Sequence, residues 1–269
     1  MEVGIDPAHA SFLHRFLQDE DPDDSYGKQF RDKAADTNIP MTQLLREYPR
    51  PEITVEETDY GMRLIALRHL DNGKTHIRIT NQIFPEAISI PMSREMIITQ
   101  WHVPIDDENC YWYSMFTSFT DPVDKDLMRA QRLKEHRLPD YAPLKNKRND
   151  YGFDPVEQQR ETYTGMGLDI NVHDQWAVES PGPIFDRTRE HLGKTDVAII
   201  KYRRMLRAAI AAVKEGNTDA LPMRNGVDVA QINGPISNDT IGDKENWRAV
   251  SAASDAERRA GCADWDATV

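Results

Sequence analysis

Two histidines and an aspartate near the start of the chain have the types and spacing of metal ligands. The run Asp6-Pro-Ala-His9-Ala-Ser-Phe-Leu-His14 places the two imidazoles five positions apart, with Asp6 on the same helical face as His9. On an ideal helix such a pair points about 140° apart, so the imidazoles converge only where the helix is widened or ends between them. Irregularities of this kind are frequent at functional sites. A chance pair of surface or core histidines is the alternative.

A second candidate is an acidic residue in an apolar segment far along the chain. Residues 172–179 read Val-His-Asp-Gln-Trp-Ala-Val-Glu, and they place Asp174 beside apolar neighbours. A carboxylate in such surroundings usually needs a cation, because an unpaired buried charge is costly. Together with His9 and His14 it would form a set of two imidazoles and one carboxylate, which suits Fe(II) and leaves coordination positions open. Zn²⁺ accepts the same ligands, so the set alone does not decide the metal.

The scaffold for these side chains is a predicted antiparallel sheet between residues 52 and 120. This region holds several β-branched or aromatic runs, partly alternating, with turn residues between them. Asn72-Gly73 lies between two of the runs and is a strong signal for a β-hairpin. The pattern is typical of an antiparallel meander. The aromatic run Tyr111-Trp112-Tyr113 with Phe116 could line a substrate site, although ordinary core packing is the favoured explanation.

Helices are predicted on both sides of this sheet. The segments with helical spacing are 1–18, 124–136, a short helix from Pro155, turns within 172–191, and one long helix from about Thr195 to Glu215. In the last of these, apolar residues recur at spacings of three and four, and Gly216 ends it. A sheet followed by such a helix predicts an α+β fold in which a curved antiparallel sheet grips the long helix. Residues 217–269 are rich in Asn, Asp, Gly and Ala, and we expect them partly to wrap the surface or to be disordered.

Composition excludes several classes of protein. The 269 residues include 33 Lys plus Arg against 45 Asp plus Glu, a net charge of −12, which disfavours binding to nucleic acid. No apolar run reaches the roughly 18 residues of a membrane span, and no signal peptide is readable. Cys110 and Cys262 form no ligand motif, so a disulfide scaffold, structural zinc and an iron–sulfur cluster within this chain are disfavoured. The expected compartment is the cytoplasm.

Two separated motifs resemble one known family. Asp6-x2-His9-x4-His14, followed by the run from His173-Asp174-Gln-Trp-Ala-Val-Glu179 to Gly193-Lys-Thr-Asp196, resembles the catalytic domain of Rieske-type ring-hydroxylating oxygenases. Within that superfamily the chain is most similar to the phthalate dioxygenase and dehydrodivanillate O-demethylase group, over about residues 1–240. The resemblance implies a helix-grip (Bet v 1-like) catalytic domain at residues 1–216. It also implies hydroxylation or O-demethylation of an aromatic acid with O2.

The family's functional residues map onto four positions of this sequence. The resemblance implies that His9, His14 and Asp174 bind a mononuclear Fe(II). It implies that Asp6 is the bridging carboxylate between an iron-binding histidine and a Rieske histidine of the neighbouring subunit in a homotrimer. Electrons would come from NADH through a reductase or ferredoxin and a 2Fe–2S Rieske cluster. His173 neighbours a ligand, and we expect it to cap the turn or face solvent.

The Rieske cluster has no ligands in this chain. We therefore expect it in an amino-terminal domain preceding this sequence, although a genuine relative without a cluster is an alternative. Because Asp6 lies so near the chain end, we expect a weakened metal site and an inactive chain by itself. A non-catalytic helix-grip protein that carries a small hydrophobic ligand is the main rival reading. A zinc hydrolase is disfavoured, because no general-base glutamate stands beside a histidine as in the HExxH motif.

Overall fold

The computed structural model describes residues 1–17, 41–120, 122–224, 226, 228–232 and 234–262. The strands of the main sheet are β1 Glu52–Thr58, β2 Gly61–His69, β3 Thr75–Ile83, β4 Ala87–Pro91, β5 Met96–Pro104, β6 Cys110–Ser118 and β9 Asn238–Gly242. A two-stranded hairpin consists of β7 His136–Arg137 and β8 Ala142–Pro143. The α-helices are α1 Met41–Glu47, α2 Lys125–Glu135, α3 Pro155–Arg160, α4 Ile170–Glu179, α5 Val197–Lys214 and α6 Trp247–Ala260.

Strands β1 to β6 form a sheet in sequence order, and every neighbouring pair is antiparallel. The meander expected from residues 52–120 is thereby confirmed, and so is the hairpin at Asn72-Gly73, where Gly73 has a φ of +79°. The alternating pattern sets the register because every second side chain must face the core. Arg68 pairs with His76 across β2 and β3, so these two polar residues share one face of the sheet.

The concave face of the sheet holds the long helix α5. Ala198, Ile199 and Tyr202 of this helix pack on Met62 and Leu64 of the sheet. The spacing of three and four read from the sequence is the reason that these side chains line one face of the helix. The expected α+β fold, a curved antiparallel sheet around a long helix, is therefore confirmed.

The carboxyl-terminal segment contributes to the same fold. β9 pairs with residues 75–79 of β3, and β4 occupies the rest of that edge, so the sheet branches at β3. Helix α6 covers the convex face, where Trp247 and Val250 pack against a buried apolar cluster. The composition of residues 217–269 favours wrapping or disorder, yet this strand and helix are held by buried polar contacts. One of these is the bond from Asn238 to the Ser251 carbonyl oxygen, 2.8 Å long, which composition does not reveal.

The amino-terminal segment differs from the helix predicted over residues 1–18. It contains two single 3₁₀ turns, Val3–Ile5 and His9–Ser11. Asp6 is extended between them, with φ −103° and ψ 99°, as the residue before a proline prefers. Further along, the short turns expected in 172–191 include a complete helix, α4. No helix in the described part of the chain combines the length and apolar character needed to cross a membrane.

Candidate metal centre

His9, His14 and Asp174 lie together although they are distant in sequence. Asp174 Oδ1 is 3.1 Å from His14 Nε2 and 3.7 Å from His9 Nε2, and the two imidazole nitrogens are 3.2 Å apart. One potential ligand atom from each side chain lies within 4.8 Å of the corresponding atoms of the other two. Among the described residues, no other group of three or more His, Cys, Asp or Glu side chains brings its potential ligand atoms this close together.

The histidine segment is fixed at both ends. Ile5 is fully buried under helix α5, and Arg68 donates a hydrogen bond of 3.0 Å from Nη2 to the Pro7 carbonyl oxygen. At the other end, Phe16 forms an isolated antiparallel bridge with Thr162. The irregular turns between these anchors bring the two imidazoles to one point, and a continuous helix with His-x4-His spacing would not.

Helix α4 positions the carboxylate. Asp169 caps its first turn by accepting a hydrogen bond of 2.9 Å from the Asn171 amide, and Asp169 also pairs with Arg132. Asp174 follows one turn later and points into the protein, with 12% of its side chain exposed. Burial raises the pKa of Asp174 to about 6, an effect that the neighbouring His9 opposes. A carboxylate in this position is poorly solvated and gains from a bound cation.

The surroundings of His9 favour its neutral form. Burial, with a further contribution from His14, lowers the pKa of His9. Nδ1 of His9 is in close contact with the backbone carbonyl oxygen of Asp6, so Nδ1 carries the proton and Nε2 is left with a lone pair. Fixing of the tautomer by a hydrogen bond on the far nitrogen is common for histidines that bind metals.

Asp6 and His173 complete the surroundings of the three ligands. The Asp6 carboxylate accepts a hydrogen bond of 2.9 Å from the Ala8 amide, and its contact with His9 is made by the backbone carbonyl, not by the side chain. His173 does not face solvent. It is 1% exposed, hydrogen-bonds the Gly167 carbonyl through Nε2 at 2.9 Å, and stacks on His14 with ring centroids 5.7 Å apart. Burial lowers the pKa of His173 to about 4.

A cavity of about 130 Å³ lies between this centre and the concave face of the sheet. It is comparable in size to an apolar cavity of about 150 Å³ that binds benzene. Asp6, His9, His14 and Asp174 are on its wall, and so are apolar side chains of the sheet such as Leu64 and Ile98. Trp112 and Phe116 line it, whereas Tyr111 and Tyr113 alternate to the opposite face and are exposed.

Two arginines line the same cavity, and no motif predicted them. Arg68 and Arg78 stand on β2 and β3, and Arg68 is 1% exposed. In the strand sequence GMRLIALRH, Arg68 directly follows the apolar run LIAL. A basic residue in such a position indicates a buried cation, and this signal was available from the sequence. Nη1 of Arg68 and Nε1 of Trp112 are buried donors without a hydrogen-bond partner among the described residues. Both would be satisfied by acceptor oxygens of a ligand.

Two further charged side chains, Glu2 and Lys145, have structural partners. Glu2 accepts hydrogen bonds of 2.6 Å from Nε and Nη2 of Arg203 on α5, so it ties the amino-terminal segment to the long helix. Lys145 donates to the Met166 carbonyl at 3.0 Å. Neither of these side chains lines the cavity described above.

A helix-grip fold with two histidines and a buried aspartate on its cavity wall resembles the catalytic domain of Rieske-type ring-hydroxylating oxygenases. Comparison with known proteins confirms this resemblance. The chain belongs to the family described as LigXa C-terminal domain like, whose model matches residues 1–267.

Curated relatives are similar over most of this chain. The phthalate 4,5-dioxygenase oxygenase subunit of Pseudomonas putida is 30% identical over 233 residues, 81% of this chain and 49% of that protein. The 3-chlorobenzoate-3,4-dioxygenase oxygenase subunit of Comamonas testosteroni is 27% identical over 238 residues, 81% of this chain and 51% of that protein. The chain spans about half the length of these relatives.

Proposed function

We propose that this chain is the catalytic part of an oxygenase that hydroxylates or O-demethylates an aromatic acid at a mononuclear Fe(II). One observation carries the proposal: His9, His14 and Asp174 bring three ligand atoms within 4.8 Å of one another on the wall of a benzene-sized cavity. The names of the relatives, which are oxygenase subunits of aromatic dioxygenases, support the same class of reaction.

The donor set fits ferrous iron. Two imidazole nitrogens and one carboxylate oxygen would hold Fe(II) and leave coordination positions open for O2, water or substrate. Asp174 Oδ1 is buried and lacks a hydrogen bond among the described residues, a need that a cation would meet. When bound, Fe(II) would supply the activation of O2 with electrons from outside the site.

The chain's own residues would orient the reactants and exclude water. The contact of His9 Nδ1 with the Asp6 carbonyl directs Nε2 toward the centre, and helix α4 holds the Asp174 carboxylate against it. Apolar side chains on the cavity wall keep bulk water from the reacting ring, which strengthens polar interactions inside the site. Phe116 and Trp112 offer flat surfaces against which an aromatic ring packs.

Arg68 supports an acidic substrate. Its Nε and Nη2 are held by the carbonyl oxygens of Tyr48 and Pro7, at 3.0 Å each, so the guanidinium cannot swing away. No carboxylate of the described residues forms an ion pair with it, and Nη1 has no partner there. A substrate carboxylate would supply both the missing charge and the missing acceptor.

Electron supply is proposed from the resemblance. A Rieske 2Fe–2S cluster of a neighbouring subunit in a homotrimer, reduced by a reductase or ferredoxin, would deliver electrons across Asp6. Asp6 lies on the cavity wall with His9 and His14, which supports a place near the proposed iron, although its carboxylate bonds the Ala8 amide and only its backbone carbonyl contacts His9. In the full-length enzyme, Asp6→Asn should keep its iron and lose turnover, and retained turnover would contradict the bridging role.

Metal analysis tests the iron site directly. We expect about one iron per chain after anaerobic loading, and loss of most of it in His9→Ala and Asp174→Ala. His69→Ala is the matched control, because His69 is exposed at the end of β2 and bonds Glu52 and Thr75 away from the cavity. Iron content that is unchanged in both ligand variants would refute the site. A metal-free protein that binds aromatic compounds equally well in those variants would favour the rival function of a hydrophobic-ligand carrier.

A further inference from the structure

Four ionisable side chains form a buried cluster at the end of the cavity that holds Arg68. His76 and Arg78 from β3 both bind Asp239 of β9, with His76 Nε2 3.0 Å from Oδ1 and Arg78 Nη1 2.7 Å from Oδ2. His76 and Asp239 are completely buried, and Arg78 is 20% exposed. Arg68 is the fourth member and senses Asp239 electrostatically without an ion pair. We name these residues the arginine cluster.

The charges of the arginine cluster do not cancel. Burial lowers the pKa of Arg68 to about 10, which leaves it protonated at neutral pH. Burial also lowers the pKa of His76, so this imidazole is neutral, while its hydrogen bond to Asp239 uses Nε2–H. Two guanidinium groups, one carboxylate and a neutral imidazole leave one net positive charge. Because an uncompensated buried charge is costly, the cluster favours a ligand that brings one negative charge.

We propose that Asp239 sets the charge selectivity of the cavity. By neutralising Arg78 it leaves Arg68 as the one guanidinium of the arginine cluster without a carboxylate partner among the described residues, and so selects aromatic acids with one carboxylate over those with two. This rests on the aromatic-acid substrate class of the proposed function. Asp239 is a positioning residue, because it acts through Arg78, which lines the cavity. Its place on β9 gives the carboxyl-terminal segment a direct part in choosing the substrate.

Ligand binding by chelator-treated protein tests this without any turnover. Calorimetry at pH 8 compares benzoate, with one charge, phthalate, with two, and neutral benzamide. The parent should bind benzoate at least tenfold more tightly than benzamide. Asp239→Asn adds one net positive charge, and we expect the ratio of phthalate to benzoate affinity to rise about tenfold.

A control and a rescue separate charge from structure. Asp243→Asn removes the same charge one residue beyond the end of β9, where Asp243 is exposed and pairs with Lys74, and it should leave the ratio unchanged. Arg68→Met should reduce benzoate affinity at least tenfold. The double variant Arg68→Met with Asp239→Asn should recover benzoate binding, because Arg78 then becomes the free guanidinium. A merely structural role for Asp239 predicts no such recovery.

If the Asp239→Asn variant does not fold, the variant Thr80→Lys is measured instead. Thr80 lines the cavity, so this change adds one positive charge while Asp239 stays in place, and it should shift the ratio in the same direction. An unchanged ratio in folded variants, or absence of benzoate binding by the parent, would overturn the proposal. Iron content measured on separate, iron-loaded portions of the same proteins tells a failure of this proposal from a failure of the metal centre.

Discussion

Removal of the charge of Asp174 should stabilise the metal-free protein and weaken the metal-loaded one. In the folded chain, burial raises the pKa of this carboxyl to about 6, above its ordinary value of 3.8. A shift of roughly two units corresponds to about 3 kcal/mol against the ionised form. Asp174→Asn has nearly the same shape and no charge, so at pH 8 the metal-free variant should be more stable by up to about 3 kcal/mol.

The sign of this effect depends on pH in a defined way. Because the folded-state pKa is raised, the folded chain binds more protons than the unfolded chain between about pH 6 and pH 4. The parent therefore gains stability from this group as the pH falls through that window. Below about pH 4 the carboxyl is neutral in both states, and the advantage of the variant should disappear. Bound metal reverses the order, because it stabilises the parent through the folded state alone.

Urea unfolding measures these differences, once after chelation and once with Fe(II) under anaerobic conditions. Asp169→Asn is the matched control on the same helix. Asp169 is also buried, but it pairs with Arg132 and caps α4, so its loss should destabilise the chain at pH 8 with or without metal. A metal-free Asp174→Asn protein less stable than the parent at pH 8 would refute the reasoning. A gain that persists to pH 4 would refute it as well.

Three further changes test other parts of the molecule. Gly61→Ala should destabilise the fold by about 1–3 kcal/mol in urea unfolding, because φ is +146° and a Cβ would lie 2.4 Å from the Gln82 carbonyl oxygen; a change within 0.5 kcal/mol would contradict this. Between pH 7 and pH 4 the parent should lose about 3 kcal/mol more stability than His173→Phe. The reason is that the pKa of His173 is about 4 in the folded chain, so over this range mainly the unfolded chain takes up the proton. Parallel curves of stability against pH would argue against this. Trp112→Phe keeps an aromatic ring and removes the Nε1–H, which has no hydrogen-bond partner among the described residues. In calorimetry, benzoate affinity should be unchanged, while the affinity for a ligand whose acceptor reaches Nε1 should fall severalfold. Equal losses for both ligands would indicate that the indole only packs.

The fold was largely predictable because its signals are local. The alternation of apolar and polar residues within residues 52–120 indicates which side chains face the core. The spacing of apolar residues in α5 indicates one apolar face of the helix. The position of β9 was not predictable in the same way. Its residues Asn238–Gly242 are mostly polar, and they form a strand because buried partners from β3 and α6 satisfy them. The partners on β3 are more than 150 positions away from β9 in the sequence, and no local pattern encodes such a separation.

The candidate metal ligands were named from residue type and family resemblance, but their convergence could not be predicted. Helical spacing over residues 1–18 separates His9 from His14, and only the break at Asp6-Pro7 with the single turn that follows resolves this. The arginine cluster was missed because Arg68 and Arg78 read as ordinary strand residues, and their shared face becomes evident only once the register of β2 and β3 is known. The assignment of His9, His14 and Asp174 as iron ligands stays a prediction until metal is measured.

The contacts around the ligands also explain how substrate and metal could influence one another. The bridge between Phe16 and Thr162 joins the histidine segment to the stretch that leads into α4, so all three ligands belong to one connected unit. The same histidine segment is held at the Pro7 carbonyl by Arg68, which is the cation expected to meet the substrate. A carboxylate on Nη1 of Arg68 would thus lie one hydrogen bond away from the backbone that positions His9. A carboxylate bound to Nη1 of Arg68 should therefore stiffen the segment that holds His9 and His14, and this coupling follows from the shared contacts without movement of the sheet.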